Sequence, residues 1–315
     1  MGRGTFIIQD GQVESTEGAA ALGARTRPGG LLAYLRCIRY RDVLVLQGSP
    51  FLGVAFALGR PVAAVAGDLV VFAAASFLLV AHIFSLNDWA GAAADRNDRR
   101  KAAEVFSARG VSPRAVLWLS LGLLAASLSL FALLHLETLV LAVAIAVLGA
   151  IYSHPAVDAK GSPLLSSVPH LLGGTLHFLL GYSLGAAIDG RSLLIALYFA
   201  LTFTAGHLNQ EVRDHDGDRL NGIRTNAVRF GKARAFWAGF AVFTLAYAHL
   251  GGLAAHGLVP PELGALIVLY PLHLYWTVTT YRAGLTFDTV SRFQARYRGL
   301  YGVIGLAMLA ALFWR

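Results

Sequence analysis

Apolar residues along this chain neither alternate nor form a narrow helical stripe. They come in blocks, over residues 43–59, 62–86, 115–134, 137–154, 164–187, 192–210, 234–255, 262–281 and 297–314. A helix needs roughly 20 such residues to cross a hydrocarbon core, so the pattern predicts nine transmembrane helices. The runs are too long for strands and lack the in–out alternation of a membrane barrel. Pro50, Pro169, Gly173, Gly174 and Pro271 fall inside them, which membrane helices tolerate when neighbours satisfy the freed backbone groups. Residues 1–30 are polar, with no apolar run, and predict a flexible cytoplasmic tail rather than a signal peptide. The stretch Leu31–Asp42 mixes Leu, Tyr and Arg and predicts an interfacial helix. The expected fold class is therefore all-α and polytopic: about nine transmembrane helices within one domain over 31–315.

Composition supports this. Only 14% of the 315 residues are charged and 56% are hydrophobic, too little charge to coat a water-facing surface, since soluble domains carry about 25%. The single cysteine, Cys37, rules out an intrachain disulfide framework or a thiolate cluster. The net charge of +8 is concentrated in a few loops, which fits a topology signal and an anionic substrate and gives no reason to expect nucleic acid. With nine spans, 23 Lys and Arg fall on one side and only Arg60, Arg191 and Arg315 on the other. The excess places the N-terminus and the 88–114 and 211–234 loops in the cytoplasm.

Two segments on that side hold seven of the 18 acidic residues. In the first, helical geometry places Asn87, Asp88, Asp95 and Asp98 within roughly 100° of arc. In the second, Glu211, Asp214 and Asp218 share a face about 60° wide, and Asp216 points elsewhere. Like charges gathered beside a membrane repel and are costly to desolvate. A hard cation relieves both costs: Mg²⁺ binds one or two carboxylates, waters and phosphate oxygens. Two such stripes facing each other would hold Mg²⁺ ions with a diphosphate between them. Lys101, Arg109, Lys160, Arg219 and Arg224 lie nearby, suited to phosphate oxygens that a metal does not reach. His170, His177 and His207, with Asn209, are polar residues in or near the spans, and Phe178, Tyr182, Tyr198, Tyr270, Tyr275 and Trp276 are aromatic ones.

Four segments in order resemble the UbiA superfamily of intramembrane prenyltransferases, across roughly residues 31–315. Asn87-Asp88 with Asp95 is similar to the family's first aspartate motif. Ser107 to Arg114 resembles its basic, glycine-containing loop. Ile151-Tyr152-Ser153-His154-Pro155 with Lys160 resembles its YSxP…K segment. Glu211, Asp214, Asp218, Arg219, Gly222 and Thr225, running to Phe230-Gly231, resemble its second aspartate motif.

The resemblance implies Mg²⁺-dependent transfer of a prenyl group from a polyprenyl diphosphate to a lipophilic, often aromatic, acceptor inside the membrane, in helices bundled around a central cavity that opens to the cytoplasm. It makes His170, His177, His207 and Asn209 candidates for the acceptor pocket, and the six aromatic residues above candidates for the wall of the hydrocarbon chamber. It implies Asp95, Asp214 and Asp218 as catalytic residues. Asp88, Asp95, Asp98, Glu211, Asp214 and Asp218 are the implied metal ligands. Asn87, Lys101, Arg109, Lys160, Arg219 and Arg224 are the implied contacts to the diphosphate. One departure stands out: Gly91 replaces the motif's middle Asp. Either Asp88 or Asp98 takes its role, or the first metal site is weakened. Two other readings remain: a terpene cyclase of the same superfamily, and a cation transporter. A transporter's acidic groups are expected at mid-membrane on broken helices, whereas these lie at helix ends.

Overall fold

The computed structural model describes residues 31–35, 37–59, 63–103, 105–154, 157 and 159–314, so the expected tail over 1–30 lies outside the described residues. Twelve α-helices follow in order: α1 (Leu31–Leu35), α2 (Tyr40–Leu46), α3 (Gly48–Leu58), α4 (Ala66–Asn97), α5 (Pro113–Phe131), α6 (Leu136–Ser153), α7 (Val168–Tyr182), α8 (Gly190–Leu220), α9 (Asn226–Phe230), α10 (Lys232–Ala255), α11 (Tyr270–Arg282) and α12 (Phe287–Phe313). The described residues contain no strand.

Seven stretches among the described residues are long and apolar enough to cross a membrane: Tyr40–Leu58, Ala63–Asn97, Pro113–Phe131, Leu136–Ser153, Gly190–Leu220, Lys232–Ala255 and Pro261–Arg282. The expectation of nine differs at two helices. α7 has 15 residues, about 22 Å of helix, and reaches across a core of about 30 Å only with the turns over 165–167 and 183–186 that flank it; it must cross all the same, because the C-terminal ends of α4 and α8 meet. α12 carries Asp288, Arg292, Arg296 and Arg298 in its first half, which dilutes its apolar second half. The expected interfacial helix is broken: α1 and α2 are separated around Cys37–Arg39, and α2 runs on through Gln47 into α3.

Local chemistry fixes the helix starts. The Asp189 carboxylate accepts from the Ser192 amide at 2.7 Å while the Ser192 hydroxyl accepts from the Asp189 amide at 2.9 Å, a reciprocal cap that starts α8. Thr286 and Thr289 do the same for α12. Ser112 caps α5, with Pro113 at the first helical position.

Packing is closest where glycines face backbone. A Cβ at Gly53 of α3 would strike the Phe178 carbonyl, and one at Gly181 of α7 would strike the Pro50 carbonyl. At Gly174 a Cβ would lie 2.8 Å from Ala200 Cα of α8. These contacts press α3, α7 and α8 together, the small-residue packing that membrane helices use. Buried hydroxyls cross-link other helices, as Ser127 Oγ donates to the Ala75 carbonyl at 2.8 Å and Ser76 Oγ to Gln47 Oε1 at 2.7 Å. Large apolar side chains remain on the outside, including Trp118, Val268 and Leu306. Exposed apolar surface on this scale suits a lipid environment.

α4 and α8, with 32 and 31 residues, are each about 45–50 Å long at 1.5 Å per residue. Both outreach the hydrocarbon core, and their C-terminal turns carry the acidic residues.

Candidate active site

The C-terminal ends of α4 and α8 lie side by side. Asn97 Nδ2 donates to Asn221 Oδ1 at 2.9 Å, and Asn221 Nδ2 donates to the Ala94 carbonyl at 3.0 Å. Gly217 permits this approach, because a Cβ there would collide with Asp98 Oδ2. The two acidic segments, more than a hundred residues apart in sequence, therefore share one end of the bundle.

Lys101 stands between them. Its Nζ lies 3.7 Å from Asp95 Oδ1 and donates to Asp214 Oδ2 at 3.0 Å, so both carboxylates are within one ammonium's reach. Burial works against the charge on Lys101, but the charge and hydrogen bond of Asp214, with the charge of Asp95, outweigh it and raise its pKa. Asp214 also accepts a two-pronged bond from Arg213, Nε at 2.7 Å and Nη2 at 2.9 Å. Asp218 is buried one turn further along α8, with Lys160 Nζ at 4.0 Å. Asp88 lies 3.5 Å from the Arg39 guanidinium. Burial opposes the charge on Arg39 too, and Asp88 and Asp42 overcome it, raising its pKa.

Other candidates are placed differently. Asp98 accepts from the Arg100 amide at 3.0 Å and faces Gly217. Glu211 is buried: its Oε1 accepts from Ser166 Oγ at 2.9 Å and Asn226 Nδ2 at 3.2 Å, and its Oε2 from the Ala227 amide at 3.4 Å. His207 Nε2 lies 3.1 Å from Glu211 Oε1 but is misaligned for a hydrogen bond. Arg219 and Arg224 are exposed and make no ion pair among the described residues. The Arg109 side chain and Pro155 lie outside what is described. Among the described residues no three His, Cys, Asp or Glu side chains converge on one point at metal-ligand distance.

An apolar chamber of about 600 Å³ opens beside these carboxylates. Its wall begins at Asn87 and Gln210, each adjacent in sequence to an acidic residue, and at Arg39, Asp42 and Arg298. It passes Tyr152, His170, His207 and Phe203 and ends among Tyr198, Phe199, Met308 and Leu309. Of the aromatic residues expected to line it, Tyr198 does. Phe178 and Tyr182 are buried in the core between α3, α7 and α8, Tyr270 stacks on Phe240, and Tyr275 is exposed.

Sequence reasoning missed Arg39 as a partner of Asp88, and Ser166 and Asn226 as partners of Glu211. The Arg39–Asp42 pair at i, i+3 was visible. The reach of Arg39 to Asp88 is a tertiary contact with no local signal.

Known proteins resemble the chain in both sequence and fold. The family model described as the UbiA prenyltransferase family matches residues 48–293. A lycopene elongase/hydratase of Haloferax volcanii is 31% identical over 309 residues, 96% of each chain. A digeranylgeranylglyceryl phosphate synthase of Natronomonas pharaonis is 36% identical over 139 residues, 42% of this chain and 47% of that one. A UbiA homologue from Archaeoglobus fulgidus, solved with DMAPP and Mg²⁺, superposes with a TM-score of 0.68 at 19% identity, covering 89% of this chain and 97% of that one. With acidic helix ends meeting beside an apolar chamber, and a family match across most of its length, the chain belongs to the UbiA prenyltransferase family and is an enzyme of the prenyltransferase type.

Proposed function

We propose that this protein transfers a prenyl group from an allylic diphosphate to a linear polyene within the membrane, using Mg²⁺ held between the ends of α4 and α8. The observation that carries this reading is Lys101. A cation already sits between Asp95 and Asp214, beside a chamber that suits hydrocarbon. The donor set fits a hard divalent ion, because every carboxylate offered is oxygen.

In this reading Asp88, Asp95, Asp98, Asp214 and Asp218 are the metal-holding groups. Glu211, occupied by Ser166 and Asn226, braces the loop before α7 against α8. Mg²⁺ held by these groups would supply positive charge to the departing diphosphate. Lys101, now at Asp214, and Lys160, now near Asp218, would turn to phosphate oxygens. Asn87 hydrogen-bonds the donor at the chamber's entrance, while Arg109, Arg219 and Arg224 supply positive potential around it. The apolar chamber keeps bulk water from the allylic cation, and the rings of Tyr152 and Phe203 on its wall stabilise it. The N-terminus and the acidic helix ends face the cytoplasm, following the lysine and arginine bias.

The full-length relative, a lycopene elongase/hydratase, favours an acyclic polyene over an aromatic ring as acceptor. The test is purified protein in detergent with labelled dimethylallyl diphosphate, lycopene and Mg²⁺. A product one five-carbon unit longer, abolished by EDTA, is expected. Transfer to a phenolic acceptor but not to lycopene would refute the polyene. A cyclic hydrocarbon formed from donor alone would replace transfer with cyclisation.

A further inference from the structure

Prenyl transfer, on which this inference rests, leaves a cation on the acceptor and must dispose of a proton. That event takes place where the donor carbon leaves its diphosphate, just inside the chamber mouth. The carboxylates there are already engaged. Asp42 pairs with Arg39 and Arg298, Asp88 with Arg39, Asp95 and Asp214 with Lys101, and Asp218 with Lys160. His177 also lines the chamber but lies seven residues further along α7, about 10 Å deeper.

His170 is placed differently. It lines the chamber from α7, and its Nδ1 lies 2.9 Å from the Ser166 carbonyl oxygen. A carbonyl only accepts, so Nδ1 carries the hydrogen and the neutral ring's lone pair is on Nε2. Nε2 has no hydrogen-bond partner among the described residues. The ring is held in place by stacking on His207, centroids 3.6 Å apart and planes within 13°, and by the Tyr152 ring perpendicular to it at 4.9 Å. His207 shares the α8 face of Glu211, Asp214 and Asp218, one turn inward of Glu211. The stack therefore sets His170 directly beneath the acidic helix ends, where the acceptor cation forms.

We infer that Nε2 of His170 is the base that ends the reaction. The C–O bond of the donor breaks and its electron pair leaves with the diphosphate. A π pair of the acceptor forms the new C–C bond, leaving a cation on the acceptor's neighbouring carbon. The cation then collapses in one of two ways. The adjacent C–H pair becomes a C=C bond, or a water oxygen bonds the carbon and loses a hydrogen. In both cases the proton goes to Nε2 of His170, and product mass, 18 Da heavier for water, tells them apart. His207 is a positioning residue that keeps the acceptor nitrogen aimed into the chamber.

Two experiments test this. With lycopene, dimethylallyl diphosphate and Mg²⁺, His170→Phe keeps a ring to stack on His207, and His170→Gln keeps polarity without a comparable base. Both are expected to lower kcat by about 10²-fold or more, with the KM for donor and the melting temperature unchanged. Turnover at the wild-type rate in either variant overturns the assignment, as does a loss explained wholly by KM. Absence of product from the wild type counts against the transfer reading rather than against His170, so a second experiment needs no acceptor. Diethyl pyrocarbonate should carbethoxylate the free Nε2 of His170, and geranyl diphosphate with Mg²⁺ should protect it, as read by peptide mass spectrometry. Lack of modification, or modification that the donor does not slow, also overturns it.

Discussion

The Lys101 ammonium lies 3.0 Å from Asp214 Oδ2, tying the turn after α4 to the acidic face of α8. Because Asp95 lies at 3.7 Å on its other side, one lysine holds the two acidic segments in register before any substrate arrives.

That pairing has a pH signature. A pKa raised in the folded state gives a contribution that is complete below the ordinary lysine range and is lost as pH climbs through the folded value. Melting metal-free wild type against Lys101→Met in detergent should show a gap of roughly 1 kcal/mol at neutral pH. The gap should persist to about pH 10.4, the free-lysine value, and close only above it. A gap that closes near pH 8 would mean the pair does not stabilise the helix junction.

Asp214→Ala and Asp218→Ala should each lower Mg²⁺-dependent turnover by about 10²-fold or more, the scale of losing one electrostatic contact to developing charge. Both variants should still elute as folded protein, since neither residue anchors the glycine contacts that join α3, α7 and α8. Full activity in either would remove that carboxylate from the metal set.

Gly91 offers the converse experiment. A Cβ built there meets only Asp95 Oδ2, at 3.5 Å, an ordinary contact. Gly91→Asp should therefore fold, gain slightly in helix propensity, and lower the Mg²⁺ concentration needed for half-maximal rate by adding a carboxylate beside Asp95. A higher Mg²⁺ requirement would show that the backbone at Gly91 must stay bare for the donor to approach.

Much of this was legible in the sequence because the membrane enforces it. Hydrocarbon leaves the backbone no partner but itself, so blocks such as 137–154 and 234–255 became α6 and α10 almost as written. The acidic stripes were equally legible, since helical spacing alone puts Asp214 and Asp218 on one face. Legibility failed where a residue's role depends on a distant partner. Glu211 reads as another ligand on that face, yet Ser166 and Asn226 reach it from other parts of the chain. Arg219 and Arg224 sit next to the motif in sequence, and both are exposed. α7 was over-extended because apolar loop residues on either side of it continue its hydropathy.

The length of α8 has a consequence for substrate choice. Its polar end and its lipid-side end belong to one uninterrupted rod, capped by Asp189 and unbroken to Leu220. Under the proposed reading, the grip on a donor's headgroup and the far wall that its tail reaches are thus joined without a hinge. A longer tail would gain no room from flexing at the grip and would have to leave sideways between helices, so α8 would act as a scale that cannot stretch.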